Sequence, residues 1–370
     1  MNSIKIDTKL LLVLLLFGMC SAQQTNFLIG SYTSTPEQGI SLVNWDAKAN
    51  KLSLQQTILG IENPSFVITN RAKTIVVCVE EIGGEQGGKI SSFQFDALSK
   101  TFRKQSTAFT QGNDPCTLAF SPDETKILVG NYSGGSLAVF PIDAQGNLGK
   151  SSQMVVYKGS SVNPQRQEKP HVHCLKFHPN SNHLFVTDLG TDEIKVIPYT
   201  DTSDNFLQLE ATQIVKVPAG SGPRHLVFSA DGSRLFVTFE LTNELAVYTC
   251  SENQLVLLQT LPLSAPTKQG SAAELRLSAD EQFIYASVRG QDNQLVVFQK
   301  NNVGSWNKIQ SIPTALTPRN FILTPNQEYV LVASQGSNLL SVYNRNKKTG
   351  LLTPNSAELA IYKPVYFCPF

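Results

Sequence analysis

Pro115-Cys-Thr-Leu-Ala-Phe-Ser-Pro-Asp, Ile127-Leu-Val-Gly-Asn-Tyr and Ser136-Leu-Ala-Val-Phe follow one another along the chain, and together they decide the fold. Each run is short and rich in Val, Ile, Leu, Phe and Tyr, with turn-forming residues between runs and no persistent 3.6-residue stripe. The trio returns at Pro223-Arg-His-Leu-Val-Phe-Ser-Ala-Asp-Gly, Leu235-Phe-Val-Thr-Phe-Glu and Glu244-Leu-Ala-Val-Tyr. Another copy runs His173-Cys-Leu-Lys-Phe-His-Pro-Asn, Leu184-Phe-Val-Thr-Asp and Ile194-Lys-Val-Ile, and weaker ones begin at Pro64, Ala272 and Pro318. Each unit reads as strand A, a turn, strand B, a polar loop, strand C and a less regular strand D. Four short antiparallel strands repeated roughly every fifty residues predict an all-β fold, a β-propeller.

The two ends give the blade count. Phe27-Leu-Ile-Gly-Ser-Tyr reads as a strand B with no A before it, and Pro364-Val-Tyr-Phe-Cys-Pro-Phe as a strand A with no B after it. Joined, they complete a seventh blade, so the C-terminal strand closes the ring within the N-terminal blade. Closure removes two sheet edges that an open ring would expose.

Residues 1–22 are expected to be a signal peptide, and 23–370 the propeller. Lys5 and Lys9 precede an apolar run from Leu10 to Met19, and Cys20-Ser21-Ala22 ends it with small residues. The run is short for a bilayer span, so export to the periplasm or outside is expected, with no membrane span in the mature chain. Cys20 also admits a lipoprotein reading, although Met19 is bulky where a small residue is wanted. Five cysteines remain: Cys78, Cys116, Cys174, Cys250 and Cys368, widely spaced and with no CxxC. They read as small buried residues, neither a disulfide framework nor a zinc site. The 370 residues are 41% hydrophobic and 16% charged with a net charge of +1, which gives no global field for nucleic acid. No Gly-x-Ser-x-Gly elbow occurs, which disfavours a serine hydrolase.

Aligned columns isolate the unusual residues. Two positions into strand A the column is Val67, Leu118, Leu175, Leu226, Leu275, Phe321 and Phe367, which is core. The A start varies: Ser65, Cys116, His173, Arg224, Ala273, Arg319, Val365. So does the B end: Tyr32, Glu80, Tyr132, Leu189, Glu240, Arg289, Gln335, with Asn131 and Asp188 one residue earlier. Antiparallel pairing puts the start of A beside the end of B. His173, Arg224, Arg319, Glu240 and Arg289 are therefore expected around one mouth of the central channel. His171, two residues before His173, is expected to point the same way in extended chain. Three Arg, one Glu and two His make an anion-binding site able to move protons. Arg224 and Glu240 share a blade and could also be a structural ion pair, whereas Arg289 has no evident partner in its own blade. Tyr132, Asn131, Asp188 and Gln335 join His171 and Arg319 as substrate-binding candidates. His225 and Glu274 are expected to bond between blades. The polar stretch from Lys158 to Lys169 reads as a rim flap.

Lys169-Pro-His-Val-His, Thr187-Asp-Leu-Gly-Thr-Asp, Gly222-Pro-Arg-His-Leu, Phe239-Glu-Leu and Ser287-Val-Arg-Gly resemble the propeller lactonase family. That family includes 6-phosphogluconolactonases and 3-carboxy-cis,cis-muconate lactonizing enzymes. Gly30-Ser-Tyr-Thr, Thr317-Pro-Arg and Gln335-Gly fit as well. The resemblance covers essentially the whole mature chain and implies His173 (with His171), Arg224, Glu240 and Arg289 as active-site residues, seven blades, and no metal or other cofactor. Val288 departs from it, because a polar Asn or Asp commonly precedes the arginine. The implied activity is hydrolysis of a sugar-acid lactone in carbohydrate metabolism, with a small lactone or a carboxylated or phosphorylated sugar acid as partner. A muconate-type cycloisomerase and a non-catalytic carbohydrate- or protein-binding propeller remain alternatives. The oligomeric state is not written in the sequence.

Overall fold

The computed structural model describes residues 24–201, 205–251, 254–265 and 270–370. The expected signal peptide lies outside the described residues. The chain forms seven four-stranded antiparallel sheets, each built from consecutive strands except one. In that one, Pro364–Pro369 pairs with Gln24–Ser31, the partners including Leu28 with Cys368 and Ile29 with Phe367. The terminal strand thus supplies strand A of the first blade, as the chain ends suggest.

The A–B hairpins repeat one device. A Ser or Thr hydroxyl bonds the Asp or Asn two residues on and also accepts the backbone N–H five residues on. Ser121 does this with Asp123 and Lys126, Ser229 with Asp231 and Arg234, Ser278 with Asp280 and Phe283, and Thr324 with Asn326 and Tyr329. The side chains replace backbone partners in a tight turn, so the hairpin register is set locally. The apolar core lies between neighbouring blades. Phe27, Trp45 and Phe367 of the first blade pack with Leu331 and Val342 of the last. Every member of the Val67-to-Phe367 column is buried. The five described cysteines are free thiols, four of them buried. No helix among the described residues is long and apolar enough to cross a membrane.

One feature of strand A is invisible in the repeat. At its start each of several blades carries a β-bulge. Val172 pairs with Asp188 and Cys174 with Thr187, which leaves His173 as the extra residue. Cys116 and Arg319 are the extra residues of their blades, and Arg224 and His225 fall in the bulge of theirs. A bulge turns its unpaired residue out of the alternation and into the channel. The same local irregularity therefore aims the A-start column at the ring axis.

Candidate active site

The bulged A starts and the B ends enclose a chamber of about 560 Å³ at one mouth of the channel. Glu81, Cys116, Tyr132, Arg166, His173, Glu240, Ser271, Arg289, Thr317 and Arg319 line it. Below it a neck of about 20 Å³ is ringed by Ser65, Glu81, Cys116, His173, Arg224, Arg319 and Val365.

Glu240 is the centre of one wall. Its Oε2 meets Arg224 Nε at 2.9 Å and Arg289 Nη2 at 3.1 Å, and its Oε1 accepts from Arg166 Nη2 at 2.7 Å. His173 Nε2 stands 4.0 Å from the same carboxylate. Burial opposes ionisation of Glu240, but Arg289, Arg224 and Arg166 hold its pKa well below the usual carboxylate range. Burial, with Arg224 and His225, pushes His173 well below the ordinary imidazole value, so it is neutral at neutral pH. His173 Nδ1 and Arg224 Nη1 are buried with no hydrogen-bond partner among the described residues.

The opposite wall holds Arg319, Tyr32 and Glu81. Arg319 Nη2 donates to the Tyr32 hydroxyl at 3.3 Å, and its guanidinium lies over the Tyr32 ring. The Tyr32 hydroxyl donates to Glu81 Oε1 at 2.8 Å, and Ser65 Oγ donates to Glu81 Oε2. No carboxylate lies within ion-pair distance of Arg319 among the described residues.

Five of the expected residues converge as read from sequence: His173, Glu240, Arg224, Arg289 and Arg319, with Tyr132 at the rim. Arg289 differs in detail, because it has partners in its own blade. Its Nη2 donates to Ser271 Oγ at 2.7 Å and to the Ala272 carbonyl at 3.3 Å. His171 does not share the direction of His173, because the bulge at His173 breaks the two-residue alternation. The His171 ring stacks behind Tyr132, with centroids 4.3 Å apart, and its Nδ1 lies 3.0 Å from the Tyr132 carbonyl. Asn131 and Asp188 are fully buried away from the chamber and tie strand B to strand C. Asn131 donates to Ser136 Oγ at 3.0 Å, and Asp188 accepts from Lys195 at 2.8 Å and from the His171 N–H at 2.8 Å. Gln335 opens a short 3-10 turn and is not among the lining residues. His225 Nδ1 meets Glu274 of the next blade at 3.2 Å, as expected.

Two charged chamber residues, Glu81 and Arg166, escape the column reading. Glu80 is aligned one residue early. It ends strand B and bonds Ser91 and Lys89, while Glu81 takes the inward position. The pairing of Val67 with Cys78 matches that of Leu118 with Val129, so counting from this core pair places Glu81 level with Tyr132. Arg166 comes from the Lys158–Lys169 connection, which no repeat predicts. Fully buried Gln167 pins that connection through a bond to the Leu189 carbonyl at 2.9 Å, and Ser161 bonds Asp192 at 2.5 Å. Arg166 then reaches over Glu240 and to the Tyr132 hydroxyl at 3.3 Å. The flap stretch is thus a fixed strap that delivers one more arginine.

A closed seven-bladed ring with an arginine-bound carboxylate and a neutral histidine at one mouth defines a small-molecule site on a propeller. The chain belongs to the lactonase, 7-bladed β-propeller family, whose model matches residues 26–369. It is 28% identical over 339 residues to the 6-phosphogluconolactonase of Formosa agariphila, covering 90% of this chain and 96% of that protein. It is also 28% identical over 345 residues to the 6-phosphogluconolactonase of Bacillus subtilis, covering 91% and 96%. The structure of the periplasmic gluconolactonase of Pseudomonas aeruginosa superposes with a TM-score of 0.85 at 31% identity, covering 93% of this chain and 98% of that one.

Proposed function

We propose that this protein is an exported lactonase that hydrolyses the ring ester of a sugar-acid lactone. The observation that supports it best is the charge and protonation pattern of the chamber. Neutral His173 stands beside a carboxylate locked by arginines, and no carboxylate lies within ion-pair distance of Arg319 among the described residues. A neutral buried imidazole can take a proton from water as the water attacks the lactone carbonyl. Arg224 and Arg289 then face the oxyanion that develops, already oriented by Glu240. Glu240 stays ionised throughout and fixes the guanidiniums. Arg319 is the cation left to bind a carboxylate or phosphate on the substrate.

Export is part of the proposal and rests on Lys5, Lys9 and the apolar run to Met19. Phosphorylated sugars do not normally cross membranes, so an exported enzyme is better matched to an unphosphorylated aldonolactone or another carboxylated lactone. A pH-stat assay compares gluconolactone, 6-phosphogluconolactone and a carboxylated lactone. Arg319→Ala is expected to raise KM about tenfold for the anionic substrates, the worth of one charge-assisted hydrogen bond, and to leave the neutral one within about twofold. Equal losses on all three remove Arg319 from substrate binding. Absence of turnover with tight binding of a carboxylated glycan favours a binding module. Lactone formation from a muconate favours a cycloisomerase.

A further inference from the structure

The chamber holds two carboxylates in opposite settings. Glu240 touches three arginines and stands near His173. Glu81 lines both the chamber and the neck, and no Lys, Arg or His lies within ion-pair distance of it among the described residues. The groups that face Glu81 come from several blades. They are the Tyr32 hydroxyl at 2.8 Å, the Ser65 hydroxyl, Arg319 at longer range, Asp114 and the Cys116 thiol. Its neighbours are thus mostly neutral hydroxyls, Arg319 is shared with Tyr32, and Asp114 repels its charge.

Resting on the lactonase reading, we infer that Glu81 is a second catalytic residue, the acid that protonates the leaving ring oxygen while His173 serves as base. Water adds to the carbonyl carbon as His173 takes one of its protons. The tetrahedral oxyanion collapses, the ring C–O bond breaks with its electron pair on the ring oxygen, and Glu81 gives that oxygen its proton. The product carboxyl group ionises. Of the two protons then held by His173 and the product, one restores Glu81 and one leaves to solvent. The sum is one lactone and one water giving one hydroxycarboxylate and one proton.

The electrostatics favour this division of labour. At ordinary values, neutral His needs a pH above about 6.5 and protonated Glu a pH below about 4.3, so both forms are scarce together. Here burial raises Glu81 against the opposing pull of Arg319, Ser65 and Tyr32, while burial and Arg224 lower His173. The two shifts move toward each other and widen the pH window in which both groups are ready.

The test is the pH profile of kcat/KM on a hydrolysed lactone for wild type, Glu81→Gln, Glu81→Asp and Tyr32→Phe, each checked by thermal melting. Glu81→Gln is expected to lose about 100-fold at the wild-type optimum and to lose the alkaline limb, with Glu81→Asp recovering part of the rate. Tyr32→Phe removes a donor that favours ionised Glu81. It therefore raises the Glu81 pKa and moves the alkaline limb to higher pH. Wild-type rates and both limbs in Glu81→Gln overturn the assignment and leave the lactonase reading standing. If Glu81→Gln does not fold, an unmoved limb in Tyr32→Phe overturns it instead. If wild type turns over no lactone, the functional reading fails first and the role of Glu81 falls with it. In that case a carboxyl titration of Glu81 by 13C NMR at the ordinary Glu value refutes the acid role independently.

Discussion

Removal of residues 364–370 is expected to lower the melting temperature by about 10–20 °C or to abolish folding. The deleted strand is the innermost strand of the first blade and pairs along Gln24–Ser31. Val365, Phe367 and Cys368 are buried, and Phe367 packs against Phe27 with centroids 5.9 Å apart. Each large side chain buried contributes about 1.5–3 kcal/mol, so several together approach the whole net stability of a domain. At about 2.1 cal/mol/K of unfolding entropy per residue, a loss of about 7–15 kcal/mol corresponds to the stated shift for a chain of this size. The truncation also exposes Phe27 to Ile29 as an open edge, and aggregation on heating should accompany the loss. Phe367→Ala is the milder version, expected to cost about 3–5 kcal/mol in denaturant unfolding. A truncated protein that melts within about two degrees of wild type is incompatible with a ring closed by this strand.

Glu240→Ala is the second large effect. The carboxylate is the shared counter-ion of Arg166, Arg224 and Arg289, and Arg224 is only 2% exposed. Its removal leaves a buried guanidinium without compensation, a loss of about 3–5 kcal/mol, and releases the groups that face the reacting carbonyl. Turnover should fall by at least about 1000-fold, more than the loss of one oxyanion donor. The pH dependence has a definite sign. A carboxylate whose folded pKa is depressed contributes stability that is fully present above its unfolded value. That stability is lost as pH falls toward the folded value. The stability gap between wild type and Glu240→Ala should therefore be widest at neutral pH and narrow in acid. Adding Arg224→Met to Glu240→Ala should recover stability without recovering activity. Additive losses in that double variant argue against the shared ion cluster.

How far the sequence reaches depends on the physical source of each feature. Blade number, strand order and ring closure follow from short apolar runs recurring at a fixed period, and the core column from Val67 to Phe367 is visible because packing demands the same residue type in each blade. The A-start and B-end columns stand out for the opposite reason: their members differ where neighbours agree. The rules that failed are local. Alternation by two holds only in a regular strand, and the bulge at His173 sends His171 behind Tyr132 instead of into the chamber. Consecutive glutamates allow a one-residue slip, so Glu80 stands in for Glu81 until the strand pairing of Val67 fixes the count. Asn131 and Asp188 are polar at the B end because they bind strand C, a structural demand that looks the same as a functional one in a column. Arg166 is carried by a connection that has no counterpart in other blades, and only the fold shows that it arrives at Glu240.

Lactone opening at the mouth built on His173 and Glu240 is read by base consumption in a pH-stat, with purified wild type and His173→Ala on the best-turned-over aldonolactone. His173 lines the chamber and its Nδ1 has no hydrogen-bond partner among the described residues, so the variant should keep the wild-type fold. A loss of about 100-fold or more in kcat is expected. Turnover by His173→Ala at the wild-type rate contradicts it.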